Sequence, residues 1–204
     1  MFQKMLEKEI LKLLIENREQ KFSINEISKI LNKDYKQTYT KIQNLVEKNI
    51  ISVENYSNSK QCFFSNEFND IVFNIEEEKK NKVLKNSHIK ILFDRIKRVE
   101  SPFFVLLIFG SYAKNTFSKN SDIDLCIISD SENISKKVEQ IIKTLALNIH
   151  LINFNAKEFT ELLLTKRDNV VTEILHNNII LFGVEDFYRI LKNVNEPKNK
   201  RSRK

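Results

Sequence analysis

Residues 1–66 combine helical and strand-like patterns of apolar positions. The spacing of leucine and isoleucine over residues 6–14 predicts an amphipathic helix. Residues 23–26, Ser-Ile-Asn-Glu, have the form of a capping box and predict the start of a second helix. Asp34 is suited to cap a third helix, and the apolar runs 50–53 and 61–64 predict a two-stranded hairpin. We therefore expect three helices followed by a hairpin.

The predicted third helix extends to about residue 48 and has two different faces. Tyr39, Ile42 and Leu45 are expected to face the core. The polar face combines cationic, amide and hydroxyl side chains, namely Lys36, Gln37, Thr40, Lys41 and Asn44. Three helices and a hairpin in this order resemble a winged helix-turn-helix, and the resemblance implies that this polar face binds duplex DNA in the major groove. A protein-binding module on the same scaffold is the alternative.

Beyond residue 82, apolar runs of strand length alternate with amphipathic helices. A charged helix with apolar positions from 83 to 96 precedes the apolar run 102–109. Further strands are predicted at 125–128, 149–154 and 179–183, with helices between them that end near residues 148, 164 and 176. A last helix is predicted around Phe187. This alternation indicates a second, α/β domain, so the fold class of the whole chain is α+β or α/β.

These patterns divide the chain into four parts. Residues 1–66 form the first domain, and residues 67–82, with a run of three glutamates before two lysines, are predicted to be a linker. Residues 83–194 form the second domain. Residues 195–204 carry five lysines and arginines, and we expect this basic tail to be disordered by itself.

Composition narrows the class of protein. The chain has 204 residues and a formal net charge of +7, which favours anionic partners such as nucleotides or nucleic acid. No apolar stretch approaches the length of a membrane span, and the N-terminus lacks the pattern of a signal peptide, so we expect a cytoplasmic protein without membrane association. The two cysteines, Cys62 and Cys126, are too few for a disulfide framework.

The candidate functional residues lie where the apolar runs end or begin. Gly110 and Ser111 follow the run 102–109. The chain has only two glycines, and one at this point suggests that another group approaches the backbone more closely than a side chain would permit. Asp122 and Asp124 precede the next run and share one face of a strand. Two neighbouring carboxylates are typical ligands of a Mg²⁺ ion that also binds substrate phosphates, while a serine turn offers hydrogen-bond donors to phosphate.

The pair Gly110-Ser111, ten further residues and Asp122-Ile123-Asp124 resemble the signature of the DNA polymerase beta nucleotidyltransferase superfamily, most of all its minimal, prokaryotic branch. The resemblance covers about residues 84–194 and implies a small mixed sheet flanked by helices. It also implies Mg²⁺- or Mn²⁺-dependent transfer of a nucleoside monophosphate from an NTP, with ATP the expected one, to a hydroxyl. The implied nucleotide-binding residues are Gly110, Ser111, Lys114, Lys119 and Ser121, and the implied metal ligands are Asp122 and Asp124.

Active members of this superfamily usually place a third carboxylate, which acts as general base, on the strand that corresponds to 149–154. This strand has no acidic residue, and His150 lies nearest the expected position. We predict His150 as the third catalytic residue, although a hydrogen-bonded structural histidine is the alternative. Glu158 and Glu161 on the following helix are further candidates. Asn115 stands where relatives often have glycine.

Two functions follow from these features. The first is a nucleotidyltransferase whose acceptor is a protein such as a paired toxin, a nucleic acid or a small molecule. The second is a DNA-binding regulator or antitoxin whose degenerate nucleotidyltransferase domain binds nucleotide without catalysis. The intact Gly-Ser and Asp-x-Asp motifs favour the enzyme, whereas the missing third carboxylate favours the regulator.

Overall fold

The computed structural model describes residues 2–18, 20–56, 59–99, 103–118, 121–165 and 169–195. The chain forms two compact units, Met1–Ile75 and Glu76–Lys204. The predicted basic tail beyond residue 195 lies outside the described residues. None of the helices in the described parts of the chain is long and apolar enough to cross a membrane.

Three helices and a three-stranded antiparallel sheet build the N-terminal unit. Its elements are α1 (Phe2–Glu16), β1 (Phe22–Ser23), α2 (Ile24–Ile30), α3 (Tyr35–Glu47), β2 (Ile51–Tyr56) and β3 (Ser59–Phe64). The strands lie in the order β1-β3-β2. The three helices and the hairpin follow the predicted order, with longer strands and a shorter tip than expected, and the short strand β1 was not predicted.

Side-chain caps fix the starts of α2 and α3, as the sequence predicts. The Ser23 hydroxyl accepts a hydrogen bond from the Glu26 backbone N–H (3.2 Å), and the Glu26 carboxylate accepts one from the Ser23 N–H (2.7 Å). These hydrogen bonds, that of the Ser23 backbone first, lower the pKa of Glu26 below its usual value. The Asp34 carboxylate accepts a hydrogen bond from the Gln37 N–H (2.9 Å) at the start of α3.

The buried side of α3 differs from the prediction at one position. Thr38, Ile42 and Leu45 are buried, whereas Tyr39 is 44% exposed and lies beside the Tyr35 ring, with centroids 6.3 Å apart. Residues 38, 42 and 45 follow the i, i+4, i+7 spacing of one helix face, and Tyr39 is rotated about 100° from Thr38 around the axis. The predicted inward orientation of Tyr39 was therefore wrong.

The segment predicted as a linker is largely helical. Helix α4 spans Asp70–Val83, and the boundary between the two units falls within it. The Asn69 side chain caps its first turn by accepting two backbone N–H bonds (2.8 and 3.2 Å). The charge run also favours a helix, because residues three apart are neighbours there and the Glu76 and Lys79 side chains lie 2.8 Å apart.

The C-terminal unit contains a four-stranded mixed sheet with helices packed against it. Its elements after α4 are α5 (Ser87–Ile96), β4 (Val105–Phe109), α6 (Gly110–Ala113), β5 (Ile123–Ile128), α7 (Glu132–Lys143), β6 (Ile149–Phe154), α8 (Ala156–Leu164), α9 (Val170–His176), β7 (Ile179–Phe182) and α10 (Val184–Asn195). The strand order is β6-β5-β4-β7. Strands β5 and β6 are parallel, and the other pairs are antiparallel. This mixed sheet matches the expected α+β architecture, although α7 ends earlier than predicted.

The sheet provides the core on which the site rests. Every residue of β4 is buried, and Leu106 and Ile108 pack in one cluster with Leu125 of β5, Leu92 of α5 and Val138 of α7. Such a fully buried central strand explains the continuous apolar run in the sequence. Burial also keeps the two cysteines as thiols, because desolvation raises the pKa of Cys62 to about 11 and that of Cys126 to about 12.

Asparagine takes the place of glycine at several turns. Among the described residues, four asparagines adopt a positive φ, namely Asn32, Asn49, Asn66 and Asn115, with φ between 50° and 61°. Asparagine tolerates this left-handed conformation better than other side chains, and two of these residues directly follow the C-caps of α3 and α6. Asn115 thus adopts a left-handed conformation that is otherwise typical of glycine.

Candidate functional site

The ends of three neighbouring strands meet at one edge of the larger sheet, which we call the site edge. Strand β4 ends at Phe109, which pairs with Asp124 near the start of β5. Because β5 and β6 are parallel and in register, Asp124 also pairs with His150 near the start of β6. The topology therefore brings together the Gly-Ser turn after β4, the Asp-x-Asp motif and His150.

Gly110 and Asp124 are in direct contact at this edge. Gly110 has φ +63°, and a Cβ atom at this position would overlap Oδ2 of Asp124 and lie 3.0 Å from its Cγ. An L side chain would thus be strained by the backbone and excluded by the carboxylate. The expected close approach at Gly110 is present, and the neighbour is a carboxylate of this chain.

The two aspartates lie on the solvent side of the edge. Asp122 is exposed and immediately precedes β5, while the Asp124 side chain is 27% exposed. Ile123 between them is 2% exposed and belongs to the core cluster on the other face. The alternation of a strand therefore places both carboxylates on the face opposite this cluster, where the start of the strand is open to solvent.

His150 lies beside Asp124, with its Nδ1 3.4 Å from Oδ1 of the carboxylate. Its side chain is 63% exposed, so it is open to a substrate. The alternative acids do not share this edge. Glu158 lies in the first turn of α8, which begins beyond the other end of β6, and its carboxylate accepts the Asn155 N–H (3.0 Å) in a capping box. Glu161, on the same helix, faces Lys157 at 3.9 Å.

The predicted phosphate-binding residues have different surroundings. Ser111 lies in the first turn of α6 and is half-buried. The Lys114 ammonium lies 2.7 Å from Oε1 of Glu173 on α9, so a long-range ion pair orients this lysine. Ser121 accepts a hydrogen bond from the Ser118 N–H (2.8 Å). Lys119 lies outside the described residues. Sequence reasoning missed Glu173, which lies 59 positions from its partner and carries no local signal.

The donor set of the site edge suits one hard cation. Among the described residues, no group of three or more histidine, cysteine, aspartate or glutamate side chains could hold a metal ion. Asp122 and Asp124 supply two carboxylates, and Mg²⁺ in nucleotide sites commonly binds one or two carboxylates together with substrate phosphates and water. The residues present therefore fit a single Mg²⁺, with the phosphates and water completing its ligands.

The polar face of α3 divides into exposed and engaged side chains. Lys36, Gln37 and Thr40 are exposed. Lys41 has a side chain only 15% exposed, and its ammonium lies 3.4 Å from Oε1 of Glu7 on α1. Asn44 is half-buried, so the accessible part of the predicted DNA-binding set is its N-terminal half.

Comparisons with known proteins identify the family to which the chain belongs. Residues 89–180 match the nucleotidyltransferase domain family. A Methanocaldococcus jannaschii protein that is provisionally named a protein adenylyltransferase is 31% identical over 97 residues, which are 45% of this chain and 70% of that protein. The chain therefore belongs to the nucleotidyltransferase domain family, as its motifs indicate. A crystal structure of a toxin-antitoxin with AMP-PNP is similar over 51% of this chain and 81% of its own, with 17% identity and a TM-score of 0.35.

The contact between Gly110 and Asp124 predicts that their substitutions are coupled. Gly110→Ala should destabilise β4 and β5 by strain of about 1–2 kcal/mol plus the overlap with the carboxylate. In the Asp124→Ala background the overlap disappears, so the same substitution should cost at least about 1 kcal/mol less. Hydrogen exchange of the β4 and β5 amides in the full chain measures both costs.

Gly183→Ala is the matched control for this cycle. Gly183 also has a positive φ, but its added Cβ would lie 2.5 Å from the backbone oxygen of Phe104, which Asp124→Ala does not move. Its cost should be the same in both backgrounds. Equal costs of Gly110→Ala in the two backgrounds would show that the carboxylate does not enforce glycine at this turn.

Proposed function

We propose that the chain is a Mg²⁺-dependent nucleotidyltransferase that moves a nucleoside monophosphate from an NTP, ATP foremost, to an acceptor hydroxyl. The observation that carries this proposal is the direct contact of Asp124 with the Gly110-Ser111 turn at the site edge. A triphosphate held by the turn would lie next to both aspartates. Family membership supports the reaction class.

The residues of the edge have distinct roles in this proposal. The Ser111 hydroxyl and the backbone N–H groups of the turn donate hydrogen bonds to phosphate oxygens, and Lys114, oriented by Glu173, neutralises part of their charge. Asp122 and Asp124 would hold one Mg²⁺, which when bound offsets the charge of the phosphates. Glycine at position 110 keeps the turn free of a side chain between phosphate and carboxylate.

The acceptor oxygen attacks the α-phosphorus, and the bond from that phosphorus to the oxygen of the β-phosphate breaks, releasing pyrophosphate. The proton of the acceptor hydroxyl must leave as the new ester bond forms. His150 is exposed and 3.4 Å from Asp124, a position suited to accept that proton. A histidine cannot add negative charge to the site, so we expect slower turnover than in a relative with three carboxylates.

A protein is the acceptor that we favour, because the archaeal relative is named for adenylyl transfer to protein. In this reaction the product would be a protein hydroxyl, on serine, threonine or tyrosine, esterified with AMP. A paired toxin is the kind of protein acceptor that the sequence resemblance suggests. Nucleic acid and small molecules are the other acceptor classes to be tested beside it.

We also propose that the N-terminal unit is a winged helix-turn-helix that binds duplex DNA. Its three helices, the β2–β3 hairpin that follows them, and the exposed side chains of Lys36, Gln37 and Thr40 on α3 support this function. A regulator that binds DNA and senses nucleotide without catalysis is the second candidate for the whole chain. The absence of an acidic residue at position 150 favours it.

Nucleotide binding should require a divalent cation and both aspartates. In calorimetry with the full chain, ATP should bind with Mg²⁺ and lose most of its affinity in EDTA, because carboxylates repel the triphosphate without a cation between them. Asp122→Asn with Asp124→Asn should weaken binding in Mg²⁺ by at least about tenfold. The matched control is Asp130→Asn, beyond the opposite end of β5, where the carboxylate instead accepts the Ala156 N–H. Equal affinity in EDTA would remove the metal from this proposal.

Position 150 should govern the rate of transfer. With α-labelled ATP, label transfer to the chain, to co-purifying protein or to RNA should be slow and should disappear in Asp124→Asn. His150→Asp should raise the rate, because it restores a carboxylate beside Asp124 in the observed register. His150→Asn removes the imidazole without adding an acid and should lower the rate at least about tenfold. If neither the wild type nor His150→Asp transfers label while both bind ATP, the chain is the non-catalytic regulator.

DNA binding should depend on the exposed half of α3. The affinity of the full chain for duplex DNA should fall steeply with salt, and Lys36→Gln should reduce the log–log salt slope by about 0.9, the value of one phosphate contact. Lys41→Gln should change it less, because Glu7 already pairs with this lysine. Lys12→Gln, on α1, is the matched control. If Lys36→Gln and Lys12→Gln reduce the salt slope equally, net charge rather than the α3 surface attracts the DNA.

A further inference from the structure

A groove of about 510 Å³ lies between the C-terminal end of α5 and the side of α7, away from the residues of the site edge. Arg95, Arg98 and Val99 line one wall, and Lys137, Gln140 and Ile141 line the other. Lys137, Gln140 and Ile141 follow the i, i+3, i+4 spacing of one face of α7, whereas Arg98 and Val99 lie in the turn that follows α5. Its volume is in the range of sites that bind a small molecule or one segment of a larger one.

The groove is cationic, and its charges are not neutralised by described residues. None of its described lining residues is acidic. Arg95, Arg98 and Lys137 form no ion pair with any described side chain, whereas several other exposed cations of this unit pair with acids along their helices: Lys90 with Asp94, Lys136 with Glu132, Lys157 with Glu161, and Arg189 with Glu185. The groove therefore brings three cations without a described acidic partner to one surface.

The acidic residues of α7 are engaged away from the groove. Glu132 binds Lys136, which raises the pKa of that lysine and lowers that of the glutamate. The Glu139 carboxylate accepts a hydrogen bond from the Asn153 amide (3.1 Å). Neither acid lines the groove, so an anionic ligand there would meet cations and an amide without a competing described carboxylate.

The groove also has an apolar component. Val99 and Ile141 are half-buried, whereas the three cations and Gln140 around them are exposed. A ligand that contacts both the cations and the apolar side chains carries anionic groups along a chain, with flat apolar groups between them. Each arginine guanidinium can bind two phosphate oxygens at once and can also stack on a base. In a duplex the bases are stacked inside, so Val99 and Ile141 would have no apolar partner.

We propose that the groove between α5 and α7 binds a single-stranded nucleic acid, with Arg95, Arg98 and Lys137 on its phosphates and a base against Val99 and Ile141. RNA and DNA strands share this chemistry. The site goes beyond the proposed transfer reaction and differs from the α3 surface, which belongs to the N-terminal unit. Its binding is expected without NTP, so it does not depend on catalysis.

The test is fluorescence anisotropy of the full chain with labelled RNA and DNA strands of about ten nucleotides, without NTP, from about 50 to 200 mM salt. Arg95→Gln with Arg98→Gln should lower the affinity at least about tenfold and the log–log salt slope by about 1.4, because each phosphate contact of a single strand contributes about 0.7. Tighter binding of RNA would indicate a contact with the 2′-hydroxyl, and equal affinities would indicate backbone and base contacts alone. Both results support the proposal.

Lys90→Gln with Arg189→Gln is the matched control, since it removes two exposed cations of the same unit outside the groove. The control should leave the slope unchanged, and an equal loss in both double variants would overturn the proposal in favour of net charge. Lys137→Gln alone, on the opposite wall, should lower the slope by about 0.7 even if the arginine variant does not fold. Duplex DNA and polyglutamate are the competitors, each at the same concentration of charge as the labelled nucleic acid. Displacement of the labelled nucleic acid by either one would also overturn the proposal, and displacement by polyglutamate would indicate an acidic protein partner.

Discussion

The contact of the Asp124 carboxylate with Gly110 is the constraint on which the site edge depends. It requires the left-handed turn after β4, the pairing of Phe109 with Asp124 and a residue without a side chain at position 110. Because β5 lies between β4 and β6, the same placement of Asp124 sets its distance from His150. A shift of β5 by one residue would place both aspartates on the face that packs in the core cluster. Burial of Ile123 and Leu125 on that face therefore fixes the register that keeps the carboxylates at the site edge.

Asparagine occupies many of the helix starts and turns in the described parts of this chain. Its side-chain oxygen caps the starts of α5, α8 and α9, and its tolerance of positive φ serves the turns after α3 and α6. Both uses rest on a short polar side chain that can bond to nearby backbone groups. The two glycines are left for positions where a Cβ atom would overlap a carboxylate or a backbone oxygen.

Three classes of described cation in the C-terminal unit differ in their partners. Several cations pair along their own helix, which adds little stability and leaves a solvated surface. Lys114 pairs across the fold with Glu173 and is thereby held near the phosphate-binding turn. The cations of the groove have no described acidic partner and remain available to a ligand. The net charge of +7 alone does not distinguish these classes, whereas the partner of each side chain does.

The sequence by itself determined the elements whose signals are local. Capping residues such as Ser23 and Asp34, the buried run of β4, and the spacing of Gly110-Ser111 to Asp122 and Asp124 act within a few residues, so the helix starts, the strands and the candidate site were predictable. The family resemblance rested on the same motifs. The strand that carries His150 was predictable from its apolar pattern, whereas the choice of His150 as a candidate rested on the family resemblance.

Only the tertiary structure decided which distant groups meet. It placed Asp124 in the space beside Gly110, paired Lys114 with Glu173 and Lys41 with Glu7, and brought α5 and α7 together around a cationic groove. It also turned the predicted linker into α4, because a charge run is compatible with both a solvated coil and a helix of paired charges. Such choices depend on chain segments far apart in sequence, whose contacts arise when the sheet and its helices pack, and no local pattern records them.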